Sequence, residues 1–362
     1  MNEKMLLQTT ELTIGYGNYL VQKDLNLSAQ DGQLICLIGT NGCGKSTLLR
    51  TLAGLQKSLY GTILVQGNIL SKLSATKRSL LLSLVLTDAI HEENMTVRDL
   101  VAMGRFPHTN WVGTLNKSDK KIISTAIEQV NLSQKENCYL NEISDGEKQR
   151  AIIAKALTQD TPLVLLDEPT AHLDLPNRIG IMLLLRKLSV NTRKTFILST
   201  HELDLAMQMA DSIWLMTPSG VEVGLPEDLM LSQKFQQAFG NDSFHFDEKE
   251  GHFSINYLSG NLCVEISGEE IPILWASRAL NRCGIKVVPS ADIHIIARKE
   301  SFLIYLKSNP SKTEEVHSIE CLLRGIEKIK SVELEGVEPS SKHAAKILST
   351  RLSFVCLSVF VW

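Results

Sequence analysis

Apolar residues in the first two thirds of the chain fall into short buried-strand runs separated by helical stretches. The runs lie at 34–38, Leu163–Leu166, Thr195–Ser199 and 213–216. Each has the length and the apolar content of a strand that is covered on both faces. Strands that alternate with helices are typical of a mostly parallel sheet. The pattern therefore predicts an α/β core.

The spacing of apolar residues changes between about 96 and 141. Here they recur at three- and four-residue steps, in one stripe at 97–101 and a second at 122–130. This is the period of an amphipathic helix, and Ser118 is the predicted cap of the second helix. We expect a helical subdomain inserted at about 90–160.

A third pattern begins after a polar stretch near residue 240. Short alternating strands such as Ile293–Ala297 and Phe302–Leu306 are accompanied by predicted helices at 274–282 and 314–328. This combination of short strands and helices is typical of a separate small α+β domain. The sequence therefore predicts a first domain at 5–240 and a second, small domain at 245–335. Residues 336–362 match no element, and we expect them to form a poorly ordered tail.

One turn between a strand and a helix carries the residues of a phosphate-binding loop. Positions 39–46 read Gly-Thr-Asn-Gly-Cys-Gly-Lys-Ser, which fits the pattern G-x-x-x-x-G-K-S. The glycines let backbone N–H groups turn toward phosphates, Lys45 reaches the β- and γ-phosphate oxygens, and the Ser46 hydroxyl is a ligand for Mg²⁺. A plain glycine turn explains neither side chain. The predicted phosphate-binding residues are Gly39, Thr40, Asn41, Gly42, Cys43, Gly44, Lys45, Ser46 and Thr47.

Two adjacent acids end the buried strand Leu163–Leu166. Successive side chains of a strand point to opposite faces, so Asp167 and Glu168 have different tasks. Asp167 can join the Mg²⁺ shell beside Ser46, while Glu168 is placed to polarise a water for in-line attack on the γ-phosphate. A pair of merely solvated acids is the alternative, and it does not fit well with a phosphate loop upstream.

A capped helix start lies between these two motifs. Residues 143–147 read Ile-Ser-Asp-Gly-Glu and precede an apolar helical stripe. Ser144 and Gly146 thus lie at a helix N-terminus, where free N–H groups and the helix dipole favour an anion. Alone, the segment fits an ordinary helix cap equally well.

In this order the motifs resemble those of the ATP-binding subunit of ABC transporters, over about residues 5–240. The phosphate loop resembles the Walker A motif, and Asp167 ends the Walker B strand with Glu168 as the catalytic glutamate. Residues 143–147 resemble the signature motif. The resemblance implies a P-loop ABC ATPase cassette with a helical subdomain, followed by the small α+β domain.

Three further residues take their roles from this resemblance. Asp174 belongs to the stretch that resembles the D-loop, His201 to the switch-histidine position, and Tyr16 to the place where an aromatic ring stacks on adenine. From the residues alone, a packed tyrosine and a hydrogen-bonded histidine are the simpler interpretations of Tyr16 and His201.

The resemblance implies an ATPase that works as a head-to-tail pair. ATP at one copy's phosphate loop is closed over by Ser144, Gly146 and Glu147 of a second copy, with Glu168 and His201 as catalytic residues. Closure is passed to integral-membrane permease subunits, which places the chain at the cytoplasmic face of the inner membrane as a peripheral protein.

Two features depart from the family pattern. Thr87 stands where the family has a glutamine that meets both Mg²⁺ and the membrane subunit, and its hydroxyl is the predicted replacement ligand. Asp145 and Glu147 stand where glycine and glutamine are usual. Carboxylates repel a triphosphate, although a helix N-terminus offsets roughly 0.3 to 1 kcal/mol of this. We therefore expect slow turnover.

Residues 96–100 and 103–108 resemble the corresponding sequence in the helical subdomain of importers for iron-siderophore complexes, haem and cobalamin. Such importers receive solute from a solute-binding protein. Residues 104–108 also fit a plain helix end with a proline stop. Two other functions stay open: a non-transport ABC ATPase, and a nucleotide-regulated binding module with little turnover.

The charge, the cysteine content and the length of the apolar stretches limit the partners and the cellular environment that we expect for the chain. Lys and Arg number 37 against 40 Asp and Glu, and the charges are interspersed, which does not point to nucleic acid or an anionic membrane surface. The 7 cysteines include no C-x-x-C pair, which favours reduced thiols. No secretory signal and no apolar stretch of roughly 18 to 20 residues is evident.

The predicted second domain carries no motif of its own that indicates chemistry. His245 and His252 are seven residues apart, and such a pair is usually structural or exposed. We expect this domain to regulate the ATPase or to support the dimer.

Overall fold

The computed structural model describes residues 5–86, 94–109, 113–240, 244–247, 252–255, 260 and 262–335. The predicted Mg²⁺ ligand Thr87 and the predicted tail at 336–362 lie outside the described residues. The chain divides into two compact units between Ser254 and Ile255.

The first unit contains a five-stranded antiparallel sheet, a six-stranded central sheet, the strand pair β12–β13 and the helices of the cassette. Its strands are β1 (Met5–Tyr16), β2 (Tyr19–Leu25), β3 (Ser28–Gln30), β4 (Leu34–Gly39), β5 (Tyr60–Val65), β6 (Asn68–Ile69), β7 (Leu82–Val85), β8 (Leu163–Leu166), β9 (Thr195–Ser199), β10 (Ser212–Thr217), β11 (Gly220–Gly224), β12 (Phe244–Asp247) and β13 (His252–Ile255). Its helices are α1 (Lys45–Leu52), α2 (Ala75–Ser79), α3 (Val97–Ala102), α4 (Lys117–Gln129), α5 (Asp145–Thr158), α6 (Leu175–Thr192), α7 (Leu203–Met209), α8 (Pro226–Leu231) and α9 (Lys234–Phe239).

The central sheet confirms the predicted α/β core. Its strand order is β11-β10-β4-β9-β8-β7, and all neighbours are parallel except the hairpin β10–β11. Because parallel strands end at the same edge, the chain leaving β4, β8 and β9 emerges side by side, where ligands of open α/β sheets bind.

The apolar runs are buried on both faces because the sheet separates two cores. Leu163 and Leu165 pack in one cluster, with the antiparallel sheet β2-β1-β5-β6 and helix α1. Val164 and Leu166 pack in the other cluster, with the helical subdomain and α6. Alternation along β8 thus supplies both cores at once.

The helical subdomain is built from α3, α4 and α5. The start of α4 differs from the sequence prediction: Asn116, not Ser118, is the N-cap, and it forms a capping box with Asp119. Ser118 lies inside the first turn. The Asn116 side chain accepts from the Asp119 N–H at 2.9 Å, an Asx geometry that competes well with serine at this position.

Residues 104–108 form the end of the helical stretch that begins with α3. A 3₁₀ segment, Met103–His108, continues directly from α3 and contains Pro107. A Cβ at Gly104 would overlap the Lys155 carbonyl and the Thr158 hydroxyl, so glycine permits close packing on α5. The next residue, Arg105, is buried.

The second unit is a five-stranded sheet with helices on one face, in the residues described. Its elements are β14 (Cys263–Gly268), α10 (Glu270–Arg282), β15 (Lys286–Val287), β16 (Ile293–Ala297), β17 (Phe302–Leu306), β18 (Asn309–Val316) and α11 (Ile319–Glu335), with strand order β15-β14-β16-β17-β18. The core lies between the sheet and the two helices, as Val264, Ile295 and Leu280 show by their complete burial.

One predicted helix of this unit begins too early. Residues 314–316 belong to β18, which pairs antiparallel with β17, and α11 begins at Ile319. The glutamates at 314 and 315 favour helix locally, but the hairpin pairing decides their structure. His245 and His252 lie in β12 and β13, which pair with each other.

Candidate nucleotide-binding and hydrolysis site

The phosphate loop follows a strand with no exposed residue. Every residue of β4 is buried, and α1 begins at Lys45. Gly42 and Gly44 have φ values of 79° and 107°, in the left-handed region that favours glycine. A Cβ at Gly44 would overlap Val21, and one at Gly39 would overlap the Met216 carbonyl. The loop therefore depends on its glycines both for conformation and for space.

Lys45 closes the loop on itself. Its ammonium donates to the Gly39 carbonyl at 2.8 Å and to the Thr40 carbonyl at 3.2 Å, and the side chain is buried. The charge is thereby held directly over the loop at the N-terminus of α1. A triphosphate in the loop meets this ammonium together with the helix dipole.

Asp167 lies close to Ser46 because β8 and β4, which are separated only by β9, end at the same edge of the sheet. The Ser46 hydroxyl donates to Asp167 Oδ1 at 3.0 Å, and the Ser199 hydroxyl donates to the same oxygen at 2.8 Å. Asp167 is 4% exposed, so these bonds stabilise a carboxylate that has little water around it. A hydroxyl and a carboxylate are the oxygen donors that Mg²⁺ accepts alongside phosphates and water.

Glu168 and Asp167 have different side-chain partners, but both residues follow β8 rather than lying in it, so strand alternation is not the reason. Its backbone has φ 47°, which is left-handed and unusual for a residue with a side chain. The Glu168 N–H donates to the Ser199 hydroxyl at 2.8 Å. On the side chain, Oε1 lies 3.1 Å from His201 Nε2, so the imidazole donates to the carboxylate. The two predicted catalytic residues thus contact each other.

Tyr16 lies at the end of β1 beside the first turn of α1. Its hydroxyl and the Thr47 hydroxyl are 2.9 Å apart, and 51% of the Tyr16 surface is exposed. This is not a packed core tyrosine. The exposed ring next to the phosphate loop is available for stacking on a planar base.

The signature residues form the N-terminus of α5. Ser144 is the N-cap and shares a capping box with Glu147. Gly146 is buried, and a Cβ there would overlap the Asn177 side chain in the first turn of α6. Asp174 is the N-cap of α6, where its carboxylate accepts from the Asn177 N–H at 3.0 Å. D-loop and signature motif therefore meet through Asn177.

The structure does not bring the signature residues to the phosphate loop of the same chain by hydrogen bonding. Among the described residues, the Ser144 side chain forms hydrogen bonds only with Glu147, inside its own helix turn. The phosphate-loop side chains Lys45 and Ser46 bond to the loop and to Asp167.

Sequence reasoning missed two residues of the site. Ser199 joins Asp167 to the Glu168 backbone, and Arg178 donates to the Leu173 carbonyl at 2.5 Å while pairing with Glu202 at 2.8 Å. Arg178 thereby ties the D-loop to the segment that carries His201. A polar residue at the end of a buried strand was the available signal for Ser199.

Cys43 lies in the phosphate loop with 9% of its surface exposed. Burial raises the pKa of its thiol, and the neighbouring Lys45 ammonium opposes that rise. The thiol is therefore protonated at neutral pH and acts as a small apolar filler in the loop.

Comparison with known proteins gives one family match in each of the two units. A sequence profile for ABC transporters matches residues 22–171, and one for the iron ABC transporter C-terminal domain matches residues 261–327. An uncharacterised ABC transporter ATP-binding protein of Methanocaldococcus jannaschii is 36% identical over 69% of this chain and 87% of its own length.

A second relative and a solved structure also come from ABC transporters. The iron(3+)-hydroxamate import ATP-binding protein of Bacillus subtilis is 34% identical over 66% of this chain and 88% of its own length. Among solved structures, a chain of a metal-chelate type ABC transporter in an inward-facing conformation matches with a TM-score of 0.59 and 26% identity, over 70% of this chain and 98% of that one.

The chain belongs to the ATP-binding proteins of ABC transporters. It is an ATPase of that family, it binds ATP, and it carries an iron ABC transporter C-terminal domain. The resemblance and the enzyme class inferred from the sequence are confirmed. In the part of the chain that the structure describes, no helix is both long and apolar enough to cross a bilayer.

Proposed function

We propose that this chain powers the import of a metal chelate of the iron-siderophore, haem or cobalamin type. The hydroxamate-import relative and the iron-transporter C-terminal domain support this solute class. The observation that carries the ATPase role is the contact of Ser46 with Asp167 and of Glu168 with His201 at one sheet edge.

Hydrolysis is assigned to the chain's own side chains as follows. Lys45 and the loop N–H groups bind the phosphates, and Ser46 with Asp167 would hold Mg²⁺, which when bound neutralises charge on the phosphate oxygens. Glu168 orients the attacking water and accepts its proton. His201 donates to Glu168 and so fixes the carboxylate, and in the closed pair it would contact the γ-phosphate.

The complete site needs a second copy of the chain. Ser144, Gly146 and Glu147 would close over ATP bound to the partner's phosphate loop, and the D-loop with Asp174 would line the same interface. Among the described residues, the side chains of Ser144 and Glu147 form no hydrogen bond with the phosphate loop of their own chain, which supports a target on the partner. A pair held together by ATP opens after hydrolysis.

Closure of the pair would act on integral-membrane permease subunits, with a solute-binding protein delivering the chelate. The chain would accordingly be peripheral, at the cytoplasmic face of the inner membrane. We assign the second unit a regulatory or dimer-supporting role, since it has its own core.

The test is the variant Glu168→Gln in the full chain. Loss of the carboxylate that orients water should lower ATP hydrolysis by roughly 100-fold or more, while ATP binding persists and an ATP-bound dimer accumulates. Hydrolysis is measured as phosphate release, and the dimer by size-exclusion chromatography with ATP.

Glu227→Gln is the matched control, because Glu227 is an exposed carboxylate in the first turn of α8. It should hydrolyse ATP at the wild-type rate. Wild-type hydrolysis that is undetectable even with permease subunits present, or a Glu168→Gln variant that turns over normally, contradicts the proposed function.

A further inference from the structure

The hydroxyl of the signature serine is already engaged by a carboxylate of its own helix. Glu147 Oε2 accepts from the Ser144 N–H at 2.9 Å and from the Ser144 hydroxyl at 3.2 Å. In return, the Glu147 N–H donates to Ser144 Oγ at 3.3 Å. One carboxylate oxygen therefore collects two donors at the N-terminus of α5.

The two acids of the signature segment differ in their surroundings. The Asp145 side chain is 78% exposed and pairs with Lys148 at 3.1 Å. Glu147 is half-buried and faces the cap. The hydrogen bond from the Ser144 backbone lowers the pKa of Glu147, with smaller contributions from the Ser144 hydroxyl, Lys135 and Arg150, so the group is ionised at neutral pH.

A γ-phosphate oxygen and a carboxylate oxygen are the same kind of acceptor. Both are anionic, both take short hydrogen bonds from hydroxyl and amide donors, and both are favoured by a helix N-terminus. A donor hydroxyl has a single proton, so Ser144 can donate to one of them at a time.

We propose that the Glu147 carboxylate competes with the γ-phosphate of ATP for Ser144 and so weakens ATP-driven pairing of two copies of this chain. The proposal rests on the proposed function, in which Ser144 closes over the partner's ATP. Closure makes the Ser144 hydroxyl leave Glu147 and places two anions at one helix terminus. Glu147 thus sets the ATP concentration at which the pair closes.

Glutamine at position 147 would remove the competition and keep the cap. Its amide oxygen still accepts from the Ser144 N–H, but it is neutral and a weaker acceptor for the hydroxyl. Glu147→Gln should therefore lower the ATP concentration for half-maximal dimer formation by roughly tenfold, the scale of a hydrogen bond to a charged group.

The experiment compares full-length Glu147→Gln with Asp145→Asn, each combined with Glu168→Gln so that the dimer persists. Both changes remove one negative charge from the first turn of α5, but of the two carboxylates only that of Glu147 accepts a hydrogen bond from the Ser144 hydroxyl. The dimer fraction is measured by analytical ultracentrifugation as Mg-ATP is raised. Each variant is also made with Ser144→Ala.

The expected result is a roughly tenfold lower midpoint for Glu147→Gln, less than about a twofold change for Asp145→Asn, and no gain from Glu147→Gln once Ser144 is alanine. Equal shifts for the two charge removals, or a gain that survives Ser144→Ala, would overturn the competition while leaving the proposed function intact. Failure of every variant to dimerise with ATP would overturn both.

Discussion

A single hydroxyl fixes the two acids of the hydrolysis site. Ser199 donates to Asp167 Oδ1 and accepts from the Glu168 N–H, at 2.8 Å in each case. The Ser199 hydroxyl is therefore a donor in one hydrogen bond and an acceptor in the other. The orientation of Asp167 toward Ser46 and of Glu168 toward His201 follows from this one side chain at the end of β9.

Alkylation of Cys43 should block nucleotide binding, because a group added to this thiol fills the phosphate loop. The raised pKa makes the reaction slow at neutral pH, and its rate should rise as pH increases toward that pKa, since only the thiolate attacks. Prior addition of ATP should protect. The measurement is ATP affinity against the extent of Cys43 modification, determined by mass spectrometry.

The control for this prediction is Cys43→Ala. The exposed thiols of Cys283 and Cys321 react in both proteins, so any loss of affinity that they cause appears in the variant as well. ATP affinity that stays unchanged after complete modification of Cys43 would show that the nucleotide lies elsewhere.

The C-terminal end of α5 is a buried polar junction. Arg105 Nε donates to Asp119 Oδ1 at 2.9 Å and the Arg105 guanidinium also donates to the Thr158 carbonyl at 2.8 Å. The side chains are 8% and 4% exposed. The Arg105 charge therefore joins the 3₁₀ segment after α3 to α4 and to the last turn of α5, where a cation is favoured.

Replacing Arg105 with methionine should destabilise the chain by about 3 kcal/mol, because Asp119 is left as a buried charge without its partner. Urea unfolding followed by circular dichroism measures the change. Adding Asp119→Asn should recover part of the loss, since it removes the unpaired charge. If Arg105→Met alone changed the free energy of unfolding by less than about 0.5 kcal/mol, the range of ordinary surface substitutions, the ion pair would have no structural role.

Elements defined by a local period could be predicted from the sequence, and those defined by partners could not. β8, β16 and β17 have the predicted bounds, since their apolar pattern is visible within five residues. The start of α11 was misplaced because pairing with β17 determines residues 314–316.

The same distinction applies to the site. The predicted phosphate loop occupies eight consecutive positions, so its pattern is visible in the sequence. The bridge from Ser199 to Asp167 spans 32 residues, and that from Arg178 to Glu202 spans 24, and neither has a local signature. The roles of Tyr16, Asp174 and His201 came from the family resemblance and stay predictions.

The two units have separate cores, which bears on what the second unit does. The apolar clusters of the first unit extend no further than Phe239 in the described residues, and the core of the second unit is formed by residues after 260. Removing residues 256–362 should therefore leave ATP binding intact. Under the regulatory or dimer-supporting proposal, it should change the ATPase rate or the ATP concentration for dimer formation.

The control for that truncation is a chain that lacks only residues 336–362, which isolates the second unit from the tail. Phosphate release and dimer fraction are measured for both. If the longer deletion left the two quantities equal to those of the control, neither regulation nor dimer support could be assigned to this unit.

The left-handed backbone at Glu168 has a consequence for the protein as a whole. His172, four residues on, is also left-handed, with φ 63°. Such a conformation costs roughly 1 kcal/mol for a residue with a side chain, and glycine would relieve it. Glycine at position 168 would remove this strain, but it would also remove the carboxylate that we propose orients the attacking water. Part of the stability that the fold could have is thus given up at the residue that is proposed to act on water.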